Sequence, residues 1–239
     1  MKQKDLLYKG KAKSVYTTDD EEKLIVEFRD DITAFDGGKK DVLKNKGNYN
    51  AEVSAFFFEY LERNGVRTHF FTMLDPHRMV VRKLGMIPLE VIVRNIAAGS
   101  LVRNYPFNEG SPLSPPLIVI DYKDDVRHDP MLNDEIILAL NLVSPSELKK
   151  IKKIALVVNR LLSALLEAQG IILVDFKIEF GRQGRMIYLG DEISMDSMRL
   201  WDKITGESLD KDVYRFEKGD VMAIYHKVAE RITQPNNKR

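Results

Sequence analysis

The strictest constraint on the fold is a run of alternating residues in the last third of the chain. The segment LVDFKIEF, residues 173–180, places an apolar side chain at every second position from Val174 to Phe180. A period of two is typical of a β-strand with one buried face. Residues 181–185 (GRQGR) then predict a hairpin loop, and residues 186–193 predict the returning strand. The sequence therefore predicts an antiparallel sheet with one apolar and one charged face.

The charged face of this hairpin carries Asp175, Lys177 and Glu179. If the hairpin loop has an odd number of residues, Asp191 of the returning strand falls on the same face as Glu179. Like charges that face each other across strands are destabilising, so such a face indicates a bound cation. Oxygen ligands suit Mg²⁺, which keeps its waters and bridges substrate phosphates. From the alternation alone, a solvated outer face of an antiparallel sheet is an equally good interpretation.

Composition excludes several classes of protein. The 239 residues, 44% of them hydrophobic, are enough for one large domain or two small lobes. The net charge of +1 argues against general nucleic-acid binding. Because cysteine is absent, disulfides, thiolate zinc sites and a cysteine nucleophile are excluded. The polar N-terminus shows no signal peptide, and no apolar run approaches the ~20 residues that span a bilayer. We expect a cytoplasmic protein.

Glycine and proline punctuation near Gly85 and Pro88 predicts a lobe boundary. Residues 1–85 would form a β-rich, nucleotide-binding N-terminal lobe with one helix over 50–64. Residues 86–239 would form an α+β lobe that carries the metal hairpin and the substrate sites. In this lobe Ser144 and Glu147 predict a capping box for a helix that ends near residue 169, and residues 220–232 predict the last helix.

Two further segments have the residue types of phosphate sites. In YKGKAKSVY, residues 8–16, a strand would place Lys9, Lys11 and Lys13 on one face, where they could cover a polyphosphate; a basic edge strand explains the pattern equally well. In VRNIAAGSL, residues 93–101, Ser100 would cap a short helix and could bind a phosphomonoester together with Arg94. An ordinary strand–turn–helix unit is the alternative there.

Two polar loops also contain residue types that could serve in a binding or catalytic site. In residues 127–135, His128 has the chemistry of a base, although a hydrogen-bonded structural histidine is the simpler interpretation. In residues 194–202, directly after the hairpin, Asp196 and Arg199 are close enough in sequence to face one cavity.

Seven segments, taken in order, resemble the SAICAR synthetase family of purine biosynthesis, the phosphoribosylaminoimidazole-succinocarboxamide synthases. They are YKGKAKSVY (8–16), FRDDITAFDG (28–37), VIVRNIAAGSL (91–101), HDPMLN (128–133), LVDFKIEFG (173–181), GDEISMDSMRLWD (190–202) and KDVYR (211–215). The length is similar to that of the short bacterial form. Met195 is a departure, because the family usually has proline there.

The resemblance implies an α+β, two-lobed SAICAR-synthase-like fold, related in plan to protein kinases and ATP-grasp enzymes. It implies an ATP-dependent ligase that condenses L-aspartate with carboxyaminoimidazole ribonucleotide, giving SAICAR, ADP and phosphate. ATP would lie between the lobes, Mg²⁺ would be the cofactor, and we expect a homodimer that binds neither nucleic acid nor membrane.

The resemblance also implies roles for single residues. The catalytic residues would be Lys177 and Asp175, and the metal ligands Glu179 and Asp191. ATP would contact Lys11, Ala12, Lys13, Val81, Lys83 and Leu84. The ribonucleotide would contact Arg94, Ser100, Arg199 and Asp196. L-Aspartate would contact Asp36, Asp129 and Arg215.

Two other hypotheses stay open at this stage. One is a different ATP-dependent acid–amine ligase on the same scaffold. The other is a nucleotide-binding regulatory module without turnover, which would have no need of the phosphoryl-transfer residues Lys177, Glu179 and Asp191.

Overall fold

The described residues form two large antiparallel sheets and one small two-stranded sheet, and the chain passes from the first large sheet to the second near residue 85. The computed structural model describes residues 1–34 and 37–234. The first part of the chain contains the strands β1 (Gln3–Lys9), β2 (Lys13–Thr18), β3 (Lys23–Phe28), β4 (Asp31–Ala34), β5 (Lys39–Val42), β6 (Phe70–Asp75) and β7 (Arg78–Arg82), with helix α1 (Lys46–Arg63) between β5 and β6. Five of these strands form a sheet in the order β1-β2-β3-β7-β6, and β4 pairs with β5.

The second sheet carries the hairpin that the alternation predicts. Its strands are β8 (Gly85–Ile96), β9 (Pro112–Tyr122), β10 (Met131–Leu132), β11 (Ile171–Gln183), β12 (Met186–Gly190) and β13 (Met198–Asp202). They lie in the order β10-β9-β8-β11-β12, with β13 also paired to β11. The helices of this part are α2 (Ser100–Asn104), α3 (Asp134–Ala139), α4 (Pro145–Ala168), α5 (Asp212–Arg215) and α6 (Val221–Thr233), with a 3₁₀ turn at Asp125–Arg127. The mixed helix and sheet content confirms the predicted α+β class.

Helix α4 begins and ends where the sequence predicts. The Ser144 hydroxyl accepts a hydrogen bond from the Glu147 amide, and the Glu147 carboxylate accepts one from the Ser144 amide. This capping box satisfies two amides that would otherwise lack partners at the helix start. The buried stripe of the helix packs against β11 and is formed by Leu148, Ile151, Ala155, Val158, Leu162 and Leu166. The helix therefore covers the apolar face of the second sheet.

The β11–β12 hairpin is tighter than predicted. A five-residue loop over 181–185 is wrong, because β11 continues to Gln183 and pairs there with Met186. Only residues 184 and 185 form the turn, and Gly184 has the positive φ of 56° that such a turn favours. Strand pairing thus includes three of the five residues that looked like loop.

Helix α1 begins at Lys46 rather than near residue 50. The carboxylate of Asp30, distant in sequence, accepts hydrogen bonds from the amides of Asn45 and Gly47 at 3.0 Å each. A Cβ atom on Gly47 would lie 2.2 Å from the carbonyl oxygen of Phe28, so only glycine permits this close approach. A tertiary contact therefore adds the first turn of the helix.

The main apolar core is continuous across residue 85. It joins Phe28 and Phe58 from the first part of the chain to Phe176 and Leu162 from the second. The division into lobes 1–85 and 86–239 stays a prediction. In the described ranges, no helix combines the length and the apolar character needed to cross a membrane.

Candidate active site

One face of the second sheet collects the charged residues of three neighbouring strands. Residues that pair directly across antiparallel strands project to the same face. Glu179 of β11 pairs with Glu90 of β8, and Glu90 pairs with Asp121 of β9. Two residues along β11, Lys177 lies on the same face beside this row. The opposite face holds the buried residues Phe176, Ile178, Val91 and Val93. The alternation therefore separates core from site.

Lysines offset the negative charge of this row. The Lys177 ammonium lies 2.5 Å from Glu90 Oε1 and 3.2 Å from Glu179 Oε1. The Lys123 ammonium lies 2.7 and 2.6 Å from the two carboxylate oxygens of Glu179, which is almost fully buried. Burial opposes the charge on Lys177, but Glu179 and Glu90 outweigh it and raise the pKa of Lys177 well above its usual range. Lys177 therefore stays protonated.

Burial also shifts the carboxylates of the row. Burial is the largest cause of the raised pKa of Glu179, and the neighbouring Asp191 carboxylate raises this pKa further. Burial and the facing Glu90 raise the pKa of Asp121 to about 6. Crowded carboxylates with raised pKa values favour a cationic partner, which is the electrostatic condition that a metal or an additional ammonium group satisfies.

Asp191 reaches this row by a different route from the one predicted. The turn has two residues, an even number, so Glu179 pairs with Gly190. Because side chains alternate along a strand, a continued β12 would place Asp191 on the face opposite to Glu179. The strand ends at Gly190, and Asp191 adopts a left-handed φ of 60°, a conformation that aspartate tolerates better than most residues. The change of direction after the strand, not the loop parity, brings Asp191 near Glu179.

Lys13 connects the first sheet to Asp191. Its ammonium forms an ion pair with Asp191 and a second one, at 2.9 Å, with Glu192. Burial opposes the charge on Asp191, but Lys13 and Lys177 outweigh it and lower the pKa of Asp191 below its usual range. Asp191 is therefore ionised at neutral pH, beside an ammonium group from the other sheet.

Glu179 and Asp191 suit Mg²⁺ if other ligands complete its shell. In residues 1–34 and 37–234, no three His, Cys, Asp or Glu side chains are grouped closely enough to enclose a metal by themselves. Mg²⁺ usually binds one or two carboxylates together with waters and substrate phosphates. The buried carboxylate of Glu179 and the ionised one of Asp191 are such a pair, so the donor set fits Mg²⁺ shared with a phosphate chain.

The first predicted phosphate segment is a turn rather than a strand face. Residues 10–12 connect β1 to β2. The prediction that Lys9, Lys11 and Lys13 share one strand face is therefore wrong. Lys13 points to Asp191, whereas Lys11 forms an exposed ion pair with Asp125 at 2.9 Å.

The predicted adenine segment connects the two sheets. Val81 is buried in β7, Lys83 and Leu84 form the link to β8, and the Lys83 amide donates to the Glu22 carbonyl at 2.8 Å. The side chain of Leu84 lies against Gly181 of the hairpin, where a Cβ would be 2.7 Å away. This link therefore borders the same hairpin as Glu179.

Three residues of the predicted ribonucleotide site do meet. Arg94 donates to Ser100 Oγ at 2.9 Å, and both Arg94 and Arg199 contact Asp175 Oδ2, at 3.0 and 2.6 Å. Asp175 pairs with both arginines in the strand register as well. Ser100 is the first residue of α2 and makes no capping bond, so its predicted role as a cap is wrong. The result is a buried carboxylate between two guanidinium groups.

Gly99 allows Arg199 to approach this cluster. Gly99 has φ 59°, and a Cβ atom on it would lie 2.7 Å from a terminal nitrogen of Arg199. Arg199 also donates from Nε to Asp212 at 2.7 Å, and Arg215 forms an ion pair with Asp212. The guanidinium of Arg199 is therefore held by Asp175, by Asp212 and by its close packing on Gly99.

The remaining predicted residues lie in other surroundings or outside the described part. Asp196 is buried and accepts hydrogen bonds from Lys46 at 2.5 Å and from the Tyr225 hydroxyl at 2.8 Å. Asp129 accepts one from the Asp124 amide at 2.8 Å. Asp36 lies outside the described residues. The ligand assignments of all the predicted site residues stay predictions.

Sequence reasoning missed Glu90, Asp121 and Lys123. Glu90 and Arg94 are the two charged residues of the run LEVIVR, residues 89–94, and the spacing of four places them on one strand face. That signal was available from the sequence. Asp121 became visible only through the pairing of β9 with β8, and Lys123 only through its ion pair with Glu179.

Comparison with known proteins assigns the chain to a family. The family model of SAICAR synthetase matches residues 6–232. The chain belongs to the SAICAR synthetase family. A phosphoribosylaminoimidazole-succinocarboxamide synthase of Methanoregula boonei is 78% identical over 235 residues, which cover 98% of this chain and 92% of the relative. One from Methanoculleus marisnigri is 68% identical over 98% of both chains. These relatives are archaeal, whereas the length had indicated the short bacterial form.

A solved structure gives the same result for the fold. A type-2 SAICAR synthetase in complex with ADP is 50% identical to this chain, covers 95% of it and 97% of its own length, and superimposes with a TM-score of 0.92. The predicted SAICAR-synthase-like fold is therefore confirmed.

Proposed function

We propose that this chain is an ATP-dependent ligase that condenses L-aspartate with carboxyaminoimidazole ribonucleotide to SAICAR, ADP and phosphate, in de novo purine biosynthesis. The observation that carries the proposal is the match to the SAICAR synthetase family over residues 6–232. The ADP bound to a relative of 50% identity supports the use of ATP. The charged sheet face supplies the residue types that this reaction requires.

The reaction needs an activated carboxylate. A carboxylate is a poor electrophile because its oxygen is a poor leaving group. An oxygen of the ribonucleotide carboxylate attacks the γ-phosphorus of ATP, and ADP leaves. The aspartate amine then attacks the carbonyl carbon, loses a proton, and phosphate leaves with that oxygen. The protein needs no covalent nucleophile; it positions three anions and neutralises developing charge.

The carboxylates Glu179 and Asp191 would hold Mg²⁺, which neutralises charge on the phosphate chain. Lys13, on β2 of the first sheet, forms an ion pair with Asp191 and would contact the same phosphates. Lys177, fixed between Glu90 and Glu179, would contact the transferred phosphoryl group or the activated carboxylate. Its protonated state suits it to bind negative charge rather than to act as a base.

Arg94, Ser100 and Arg199 would bind the phosphate of the ribonucleotide. Two guanidinium groups and a hydroxyl within one hydrogen-bonded cluster are a common phosphate-binding set. Asp175 contacts both arginines, so we infer that it orients them. Asp196 on the ribonucleotide, and Asp36, Asp129 and Arg215 on L-aspartate, complete the proposed assignment.

ADP release from the purified protein tests the function. We expect release only when ATP, Mg²⁺, L-aspartate and the ribonucleotide are all present, together with formation of SAICAR. Release with another acid or amine in place of either substrate would indicate a different ligase on this scaffold. Nucleotide binding without release under any combination would indicate a regulatory module.

Isotope transfer tests the activation step. ¹⁸O in the ribonucleotide carboxylate should appear in the released phosphate, because one carboxylate oxygen leaves with the phosphoryl group. Absence of label in the phosphate during full turnover would exclude carboxylate phosphorylation. Positional isotope exchange in ATP without L-aspartate would support an acyl phosphate that forms before the amine attacks.

We further propose a cytoplasmic homodimer. Strand β1 is an edge of the five-stranded sheet, and its Leu6, Leu7 and Tyr8 are each more than half exposed. Exposed apolar side chains on an unpaired sheet edge favour self-association. A sedimentation-velocity mass of one chain at micromolar concentration would contradict the dimer.

A further inference from the structure

Arg29, directly after β3, encloses the turn that connects β1 to β2. Its Nη2 donates to the carbonyl oxygen of Gly10 at 2.8 Å and to that of Lys11 at 3.1 Å. Its main-chain amide donates to the carbonyl oxygen of Ala12 at 2.8 Å. Three consecutive carbonyl groups of the turn are therefore bound by one residue.

The remaining donors of Arg29 anchor its guanidinium group. Nη1 donates to the hydroxyl of Ser14 at 2.8 Å, and Ser14 is buried in β2. Nε donates to Asp31 Oδ2 at 2.7 Å. The guanidinium is planar and presents its donors in a rigid fork. Partners on β2, on β4 and in the turn therefore hold it in one orientation.

This arrangement determines how the turn presents its polar groups. In a planar trans peptide, the carbonyl and the amide N–H point in opposite directions. Fixing the carbonyls of residues 10–12 therefore also fixes the amides of Lys11, Ala12 and Lys13, which point away from Arg29. Successive amides of a turn can form a concave anion site. Lys13, the residue after the turn, reaches Asp191 at the carboxylates proposed for Mg²⁺.

We propose that Arg29 is a positioning residue for the nucleotide phosphates. It shapes the turn at residues 10–12 so that the turn amides and Lys13 are arranged for the phosphate chain before the nucleotide binds. The inference rests on the proposed function, because it requires that the nucleotide lies at this turn. Arg29 acts through the turn and does not contact the nucleotide.

Lysine cannot replace Arg29 in this role. An ammonium group presents its donors from a single atom and lacks the planar fork. It cannot reach the Gly10 and Lys11 carbonyls, the Ser14 hydroxyl and Asp31 together. Retained charge without the fork therefore separates an electrostatic effect from a positioning effect.

The test compares Arg29→Met and Arg29→Lys with the control Arg78→Met. Arg78 lies on β7 of the same sheet and binds Asp75 and Gln3, but not the turn. The measurements are the Kd of Mg·ADP by calorimetry, the KM values of ATP and the ribonucleotide, and the Tm without ligand. Both Arg29 variants should raise the Kd of Mg·ADP and the KM of ATP about tenfold or more, the scale of a lost charge-assisted hydrogen bond.

The ribonucleotide KM should change less than about twofold, as for two independent sites. Unchanged nucleotide binding in Arg29→Met, or equal rises of both KM values with a Tm loss that Arg78→Met does not show, would overturn the positioning role. If Arg29→Met is insoluble, Ser14→Ala removes one anchor and should still raise the nucleotide KM selectively; no rise would overturn the role. Wild-type protein that fails to bind Mg·ADP would instead refute the proposed function.

Discussion

At the scale of single residues, Glu179 and Asp191 carry the proposed metal site. Glu179 is 1% exposed and has two lysine partners, and Asp191 has Lys13. Ammonium groups at the positions where a cation is expected indicate that the site is built for positive charge. Sequence alternation identified Glu179. The position of Asp191 depends on its own left-handed backbone conformation, which no periodicity predicts.

We predict that Glu179→Gln and Asp191→Asn lose ADP release by ~100-fold or more, the scale of removing one preorganised electrostatic contact. The amides preserve size but not charge, so both proteins should stay folded. Asp134→Asn is the control, because Asp134 also pairs with a lysine, Lys152, but on the exposed surface. Near-normal release at saturating Mg²⁺ would remove the residue concerned from the metal site.

We predict that Arg199→Ala raises the KM of the ribonucleotide roughly 10- to 100-fold, the value of a lost charge-assisted hydrogen bond, and the KM of ATP far less. Arg231→Ala is the control, since Arg231 pairs with Asp202 at 2.9 Å outside the charged sheet face. Steady-state kinetics with each substrate varied in turn gives both constants. Equal rises for both substrates would indicate a disordered loop instead.

At the scale of secondary-structure elements, the start of α2 is set by the space that Arg199 needs. Gly99 and Gly110 both have positive φ, but only at Gly99 would a Cβ meet another group, Arg199. We predict that Gly99→Ala raises the ribonucleotide KM about tenfold, because it displaces one guanidinium contact. Gly110→Ala also places a side chain at a positive φ but without that contact, and it should leave that KM unchanged. Equal effects of the two changes would show that strain alone matters.

The start of α4 should respond to acid through Glu147. Two hydrogen bonds lower the pKa of Glu147 from 4.5 to about 2. The larger effect comes from the bond that Arg182 donates, and the smaller from the bond that the Ser144 amide donates. Because the folded pKa is the lower one, the ionised carboxylate stabilises the fold above pH ~4.5, and this contribution is lost as the pH falls towards ~2. The side chain is 29% exposed, so screening limits the contribution to about 1–2 kcal/mol.

We therefore predict that Glu147→Gln lowers the Tm at pH 7 by about 2–8 °C, at 2–4 °C per kcal/mol for a chain of this size. The difference from wild type should shrink between pH 4.5 and pH 2. Thermal unfolding followed by circular dichroism at several pH values measures it. A difference that is constant over this range would exclude the ionised carboxylate as its source.

At the scale of the whole molecule, the candidate site joins both sheets. Lys13 comes from the first sheet, and Glu179, Asp191 and Lys177 from or next to the second. A ligand that contacts both should stabilise the entire chain, whose main core is also continuous.

We predict that Mg·ADP at a hundred times its Kd adds about 2.7 kcal/mol to the free energy of unfolding. This corresponds to a Tm increase of roughly 5–11 °C. A single, shifted transition is expected, because both sheets share the ligand. Two separate transitions, of which only one shifts, would contradict a shared site, and Asp191→Asn should lose the Mg²⁺-dependent part of the increase.

Local patterns by themselves determined the helix α4 with its capping box, the alternating strand β11, and the division of charged and apolar residues between its two faces. These features depend on neighbours within a few residues, and the physics of helix capping and strand alternation acts at that range. The seven ordered motifs also identified the family, because they retain the residue types that the chemistry requires.

Contacts between distant segments, by contrast, bring the charged residues together. The row Glu179–Glu90–Asp121 depends on the register between three strands, and register is set by packing across the sheet rather than by any one strand. The early start of α1 depends on Asp30, and the turn at residues 10–12 depends on Arg29. Each of these is a contact between segments distant in sequence, which local periodicity cannot encode.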